Sequence, residues 1–363
     1  MFNEYSRLCF TFISMRVWPC IFALVVAFFL AVPYMVNGQD SVQVITIKRS
    51  PEKKKFFKSL ALQFDAVPHY SNEMGLGVAL GLNFTEKLSV IGNFTTKGYM
   101  LVGLDGAARS KSKKWEFNYK GFYNYAPSYF WGLGYDLAND NSNKTGFNQK
   151  KVSIHSDALY SFTPHFKLGP SLGFEWIKWD DFIYDNRSSG ALELGLSAQL
   201  DTRDSKVSPE RGVYAWARQR YYTSQFGTTS LQFCTYAPLW DGGVLAMDLY
   251  SIFAYGNVPV TMLPTIGGTD RMRGYYYGRY RNNNIVAAQL EIRQHIWKMI
   301  SGAVWGAGAN LWGKYGKFNL GNTLPNYGAG VRFVVTDNLK LRLDYGFGRK
   351  GQSAFIFSIN EAF

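Results

Sequence analysis

The architecture this sequence predicts is all-β: a 16-stranded antiparallel transmembrane barrel. Three observations predict it. From about Met74 onward, short runs of alternating apolar and polar residues recur, separated by turn residues. Beyond the first 38 residues, no apolar stretch approaches the about 20 residues that a membrane helix needs. The chain carries 36 glycines and is 17% aromatic, with a mean hydropathy of −0.14. If such a chain crosses a bilayer, it must do so as a closed barrel, with every backbone N–H and C=O paired.

The first segment, residues 1–38, has the order of a secretory signal peptide. Arg7 and Arg16 form a positive leader, Ile21 to Val32 an apolar core, and Val36-Asn37-Gly38 a cleavage region. The competing reading is a membrane anchor, because the apolar run counted from Val17 approaches the spanning length. Cys9 and Cys20 leave with the signal. Cys234 then stands alone, so neither an internal disulfide nor a cysteine metal site is available, and it is expected to fill space as a small apolar residue. The formal charge is +13, about +12 after removal of Glu4, Arg7 and Arg16. In an exported protein that charge points to outer-membrane lipid and lipopolysaccharide phosphates rather than nucleic acid. Residues 39–73 are expected to form a basic periplasmic tether, with Lys53, Lys54 and Lys55 at its centre, and a short apolar lead, Leu60 to Val67. The barrel is expected over residues 74–363.

Strands are expected near 74–84, 88–95, 98–108, 114–124, 129–137, 147–161, 165–178, 189–201, 212–222, 227–236 and 241–254. Five more follow near 284–297, 301–312, 326–336, 339–348 and 353–363. An even number returns both ends to one side, and eleven strands before the long segment 255–283 place that segment outside the cell. The longer connectors Ala138–Gly146 and Asp180–Ser188 fall on the same side. The two faces are clearest at Leu339 to Gly348. Leu339, Leu341, Leu343, Tyr345 and Phe347 should face lipid; Lys340, Arg342, Asp344, Gly346 and Gly348 should face the lumen. By the same alternation Phe355, Phe357, Ile359 and Phe363 share one face at the end of the chain.

The stretch Gly267-Gly268-Thr269-Asp270-Arg271-Met272-Arg273-Gly274-Tyr275-Tyr276-Tyr277-Gly278-Arg279-Tyr280 is too rich in glycine and arginine for a strand. It is also too long and aromatic for an idle loop. Glycines allow positive φ, and Arg273 offers a fork that fits a carboxylate. The segment is expected to fold inward and plug the barrel. A buried guanidinium needs an ionised partner; parity offers Asp344 first and Glu291 second.

Met272-Arg273-Gly274-Tyr275 resembles the hydrophobic-Arg-Gly-aromatic motif of the outer-membrane assembly-factor superfamily, BamA/TamA, also called bacterial surface antigen proteins. Asp201-Thr202-Arg203-Asp204, followed by Pro209 and Gly212, resembles that superfamily's turn between two strands on the periplasmic side. Leu290-Glu291-Ile292-Arg293 and Arg342-Leu343-Asp344-Tyr345-Gly346 resemble later strand motifs. Relatives often carry Asp-Ala-Gly where this chain has Gly306-Ala307-Gly308, so one acidic contact is expected to be missing. A chain ending in alternating aromatics resembles the family's terminal assembly signal, with Glu361 departing from the pattern. The resemblance, over about residues 70–363, implies a re-entrant loop and a weak seam between first and last strands, here placed between Met74–Phe84 and Ser353–Phe363. It also implies client outer-membrane proteins. Nothing between leader and barrel is long enough for the periplasmic POTRA domains, which suggests a separate periplasmic partner.

No enzyme signature emerges. His69, His155, His165 and His295 have no metal-ligand spacing, and neither a nucleophile elbow nor a phosphate loop occurs. No cofactor is expected. His155 with Asp157 is expected to be a luminal polar contact. The function classes left are an assembly or translocation barrel for proteins or lipids, a plugged passive pore for small solutes, anions among them, and, least supported, an outer-membrane hydrolase.

Overall fold

A computed structural model describes residues 63–363 except 86–87, 183–186, 317 and 337–338. The signal peptide and nearly all of the tether fall outside the described residues. The barrel strands are β1 Gln63–Ser71, β2 Gly75–Thr85, β3 Leu88–Thr95, β4 Met100–Arg109, β5 Trp115–Phe130, β6 Thr145–Ser161, β7 Phe166–Asp180, β8 Arg187–Asp201, β9 Gly212–Tyr222, β10 Phe226–Trp240 and β11 Gly243–Gly256. After the long segment come β14 Asn284–Trp297, β15 Ile300–Trp312, β16 Leu324–Thr336, β17 Leu339–Phe347 and β18 Ser353–Ile359. The long segment carries its own two-stranded ribbon, β12 Thr265–Ile266 with β13 Tyr280–Arg281. Sixteen strands close into one antiparallel barrel, each beside its sequence neighbour, with β1 meeting β18 and β11 meeting β14.

The number of strands agrees with the sequence reading, but two boundaries move. The barrel begins at β1, within the stretch expected to be a lead segment, so its wall starts before residue 74. Pro68 interrupts the alternation there; it cannot donate to a ladder, and it is tolerated because β18 pairs with β1 only at Tyr70 and Ser71. Segments 114–124 and 129–137 are not two strands. β5 runs unbroken through Pro127, which pairs with Asn148 of β6 beyond the level where β4 ends against Tyr125. The chain then makes a short helix, α1 Gly134–Ala138. One strand gained and one lost leave the total unchanged.

The two faces separate as period-2 alternation requires. Leu192, Leu194 and Leu196 of β8 are 57–60% exposed on the outer face, while Glu193 and Gly195 between them, and Ser197 after them, are buried inside. Tyr345 and Phe347 are exposed outward, and Arg342, Asp344 and Gly346 are buried inward. Among the described residues no helix is long and apolar enough to cross a membrane.

Two closures differ from expectation. The seam joins β1 to β18, not residues 74–84 to 353–363, and it holds two residue pairs, Tyr70↔Phe357 and Ser71↔Ile356. By contrast β17 and β18 share seven, from Leu341↔Ile359 to Phe347↔Ser353. Above the two pairs the Asn72 side chain substitutes for a strand, accepting from the Phe355 N–H at 3.3 Å. Second, the outward alternation of β18 stops at Ile359. Asn360 adopts φ 59°, and Phe363 turns into the lumen against Tyr236 instead of sharing the outer face of Phe355.

Candidate functional site: the luminal plug and its anchors

The segment between β11 and β14 meets the inward faces of strands on opposite sides of the barrel, which places it in the lumen. Its tip is built by glycines that hold left-handed φ: Gly267 at 111°, Gly268 at 133°, Gly274 at 121° and Gly278 at 78°. Met272 also takes φ 50° and is 2% exposed. The close approach is clearest at Gly346 of β17: a Cβ there would lie 1.9 Å from the Arg273 carbonyl oxygen. The plug backbone therefore lies directly on the wall.

Arg273 is fully buried and forks between both carboxylates that parity offered. Its Nη1 donates to Asp344 at 2.7 Å and its Nη2 to Glu291 at 2.5 Å. The guanidinium also stacks on Trp305, 3.5 Å from the ring centroid. Asn326 holds the same turn by donating to the Arg273 carbonyl and accepts from the Trp305 indole at 3.1 Å. Tyr275 is anchored at its hydroxyl, which donates to the Pro325 carbonyl at 2.6 Å and accepts from the Arg349 N–H at 2.8 Å.

The anchor is a network rather than a single pair. Asp344 also accepts from Arg332 at 2.5 Å, and Glu291 from Arg293 at 2.9 Å. Arg342 donates to Asp270 of the plug at 2.9 Å, and Arg271 is paired to Asp248 of β11 at 2.5 Å. Alternating cations and anions let each buried charge meet an opposite one, the condition under which burial is tolerable. Asp248, Arg332 and Trp305 were not singled out from the sequence, and Arg342 was placed only as a lumen-facing motif residue, without its plug partner. Their inward parity was readable, but which of many inward residues meet the plug depends on where the plug lands.

The network reaches the end of the chain. Glu361 accepts from Arg332 at 2.9 Å and Lys340 at 3.2 Å, and Arg293 donates to the Phe363 backbone oxygen at 2.9 Å. Arg332 thus touches both the partner of the plug and the inward-turned tail. Cys234 is not mere filler: its thiol lies 3.2 Å from Asp248 Oδ1, inside the same luminal network.

The Asp201–Gly212 turn is structured as its residue types require. Arg203 forks onto Asp201 at 2.9 and 3.1 Å, and Asp204 accepts from the Ser205 and Glu210 N–H groups. Gly212 at φ 104° leaves no room for a Cβ, which would meet the Thr202 oxygen at 2.4 Å. Burial opposes the charge on Arg203, but the Asp201 carboxylate outweighs it and raises the guanidinium pKa above its ordinary value. Pro209 lies in the same turn, buried. Ser208 bonds to Lys340 of β17, so the turn extends across the mouth of the barrel.

Gly306 does not leave a hole at Arg273. It faces outward, where an added Cβ would meet nothing within 4 Å, and the neighbouring Trp305 faces inward onto the guanidinium. His155 lies 3.1 Å from Glu193, while Asp157 pairs with Arg218 and Ser197. These two do not bond to each other.

Residues 70–363 match the Omp85 superfamily domain. The fold is similar to BamA from Haemophilus ducreyi lacking POTRA domains 1–3, with 14% identity and a TM-score of 0.63 over 83% of this chain and 70% of that one. It is similar to CdiB from Acinetobacter baumannii, with 15% identity and a TM-score of 0.54 over 82% and 59%, and to CdiB from Escherichia coli, with 11% identity and 0.56 over 84% and 68%. At these identities the likeness is one of fold. No curated protein matches the chain by sequence. A sixteen-stranded barrel with a family match across most of the chain identifies it as a member of the Omp85 superfamily of outer-membrane β-barrels.

Proposed function

We propose that this barrel assists the insertion, assembly or translocation of outer-membrane proteins or lipids. The observation that carries the reading is the seam of two residue pairs between β1 and β18. A ladder this short leaves strand edges available to an incoming strand, and an unpaired edge is a template for β-addition. The plug keeps the lumen occupied while the wall stays weak at one line. A separate periplasmic partner that delivers clients belongs to this reading, as does contact with anionic lipid and lipopolysaccharide through the basic surface. No catalytic step is assigned, and neither a cofactor nor a metal.

The test is depletion of the protein followed by a census of outer-membrane proteins. Loss of many barrels supports an assembly role; an unchanged census removes it.

A second reading, a plugged pore for small solutes, draws on one feature. The β6–β9 side of the lumen carries small inward residues, Ser153, Ser171, Gly173, Gly195 and Ser197, beside charged ones such as Glu193 and Arg220. Conductance in planar bilayers separates the two. A steady, large open state of the intact protein favours the pore. A mostly closed channel that opens when residues 256–283 are deleted favours the plugged assembly type.

A further inference from the structure

Arg281 sits at the end of the plug ribbon, on β13, and is 6% exposed. Its one side-chain hydrogen bond among the described residues runs from Nε to the Gly278 carbonyl at 3.1 Å. The guanidinium rests against Trp179 and Phe130, 4.9 and 5.5 Å from their centroids. No described carboxylate lies within ion-pair distance of it. Two cations that line the same space are matched: Lys151 has Glu175 at 2.6 Å and Arg271 has Asp248 at 2.5 Å. Arg281 lines a luminal cavity of about 390 Å³ between plug and wall, together with Lys151, Gln149 and Thr261. The Thr261 hydroxyl there is buried and has no hydrogen-bond partner.

We infer that this cavity is a binding site for a small soluble oxyanion, with phosphate as the representative ligand. The reasoning is electrostatic. A buried guanidinium with no described carboxylate in ion-pair reach is costly, and a counter-ion relieves that cost. The terminal nitrogens of arginine form a planar fork that fits two oxygens of a phosphate or carboxylate. Thr261 supplies a hydroxyl donor. Glu175 and Asp270 also line the cavity, but Glu175 is taken up by Lys151 and Asp270 by Arg342, which leaves Arg281 as the cation open to an anion there. The flat faces of Trp179 and Phe130 hold the guanidinium in place, so little side-chain freedom is lost on binding. The site lies inside the wall, away from the lipid face, which favours a soluble anion over a lipid headgroup. This inference does not depend on the assembly role, since an anion could occupy the plug of either barrel type.

The experiment is isothermal titration calorimetry of the full chain, folded in neutral detergent, with sodium phosphate at constant ionic strength made up with chloride. The expected result is one saturable site. Arg281→Gln should weaken it at least tenfold, and Arg281→Lys and Thr261→Val by less. Lys314→Gln, which removes the same charge from an exposed outer loop, should leave it unchanged. Acetate should compete, because it offers the same pair of oxygens. Folding of each variant is checked by its heat-modifiable electrophoretic mobility; if Arg281→Gln does not fold, the Arg281→Lys and Thr261→Val pair carries the comparison. Heat from phosphate no greater than from chloride overturns the site, as does equal binding by Arg281→Gln or an equal loss in Lys314→Gln. Binding of a short-chain phosphatidic acid without binding of phosphate overturns it too, by making it a lipid site.

Discussion

Arg273 illustrates how much one residue can carry when its surroundings are complementary on every side. Two carboxylates, an indole face and a side-chain amide all converge on it or its carbonyl. Replacing it by Ala leaves Glu291 and Asp344 buried with one cation fewer, a change that costs about 3–5 kcal/mol when a buried pair is broken. Limited proteolysis should then cut within residues 256–283, where the intact protein resists. Arg273→Lys should rescue only in part, since an ammonium cannot fork or stack as a guanidinium does. Unchanged resistance in Arg273→Ala would show that the other plug contacts suffice. Gly346 tests the same contact from the wall side. With a Cβ due to fall 1.9 Å from the Arg273 oxygen, Gly346→Ala should loosen the plug as much as losing the arginine does, while Gly306→Ala, with open space around it, should change nothing. Both partners of Arg273 were legible from strand parity alone. Cys234 was misjudged, because its apolar character hid the fact that it shares a face with Asp248.

At the scale of elements, β18 and the tail behind it matter most. β18 pairs along its length with β17 but barely with β1, and the chain turns inward at Asn360 instead of continuing the seam. Glu361, expected to disturb a terminal apolar face, instead anchors the turn through Arg332 and Lys340. Glu361→Gln removes the charge from that anchor. Carboxypeptidase should then release Phe363 faster than from the intact protein; an equal rate would mean that Arg293 and Tyr236 hold the tail by themselves. The seam can be tested directly. Cysteines placed at Tyr70 and Phe357, which face each other across it, should form a disulfide that halts client assembly until it is reduced. Assembly that continues in the oxidised form would exclude opening at this line. The two misplaced strand boundaries share one physical cause. Pro68 and Pro127 look like breaks in a sequence window, yet both lie where a neighbouring strand has ended or never paired, so no donor is missed.

For the whole molecule, the closed wall imposes a strict division between lipid face and lumen. Leu194 is 60% exposed outward and Ser197, three residues on, is buried inward. Leu194→Arg should destabilise the folded barrel by about 2–4 kcal/mol if it lies at mid-bilayer, measured by urea unfolding in lipid vesicles. A conservative inward change, Ser197→Thr, should cost far less. Equal costs would contradict the assignment of faces.

Read along the chain alone, the residues specify the class of fold, the face that most strand residues take, and the pair of carboxylates able to receive Arg273. All of these follow from a two-residue period, which is local and needs no knowledge of what packs where. The total of sixteen agrees although β1 lies outside the expected barrel and segment 129–137 is not a strand of its own. Closure of the barrel in three dimensions set the rest: a seam two pairs long, a tail turned inward onto Arg332, and Arg281 beside a cavity with no ion pair to a described carboxylate. Such features depend on where distant segments meet once the wall has closed, and alternation along a strand is the same whichever partner finally lies opposite.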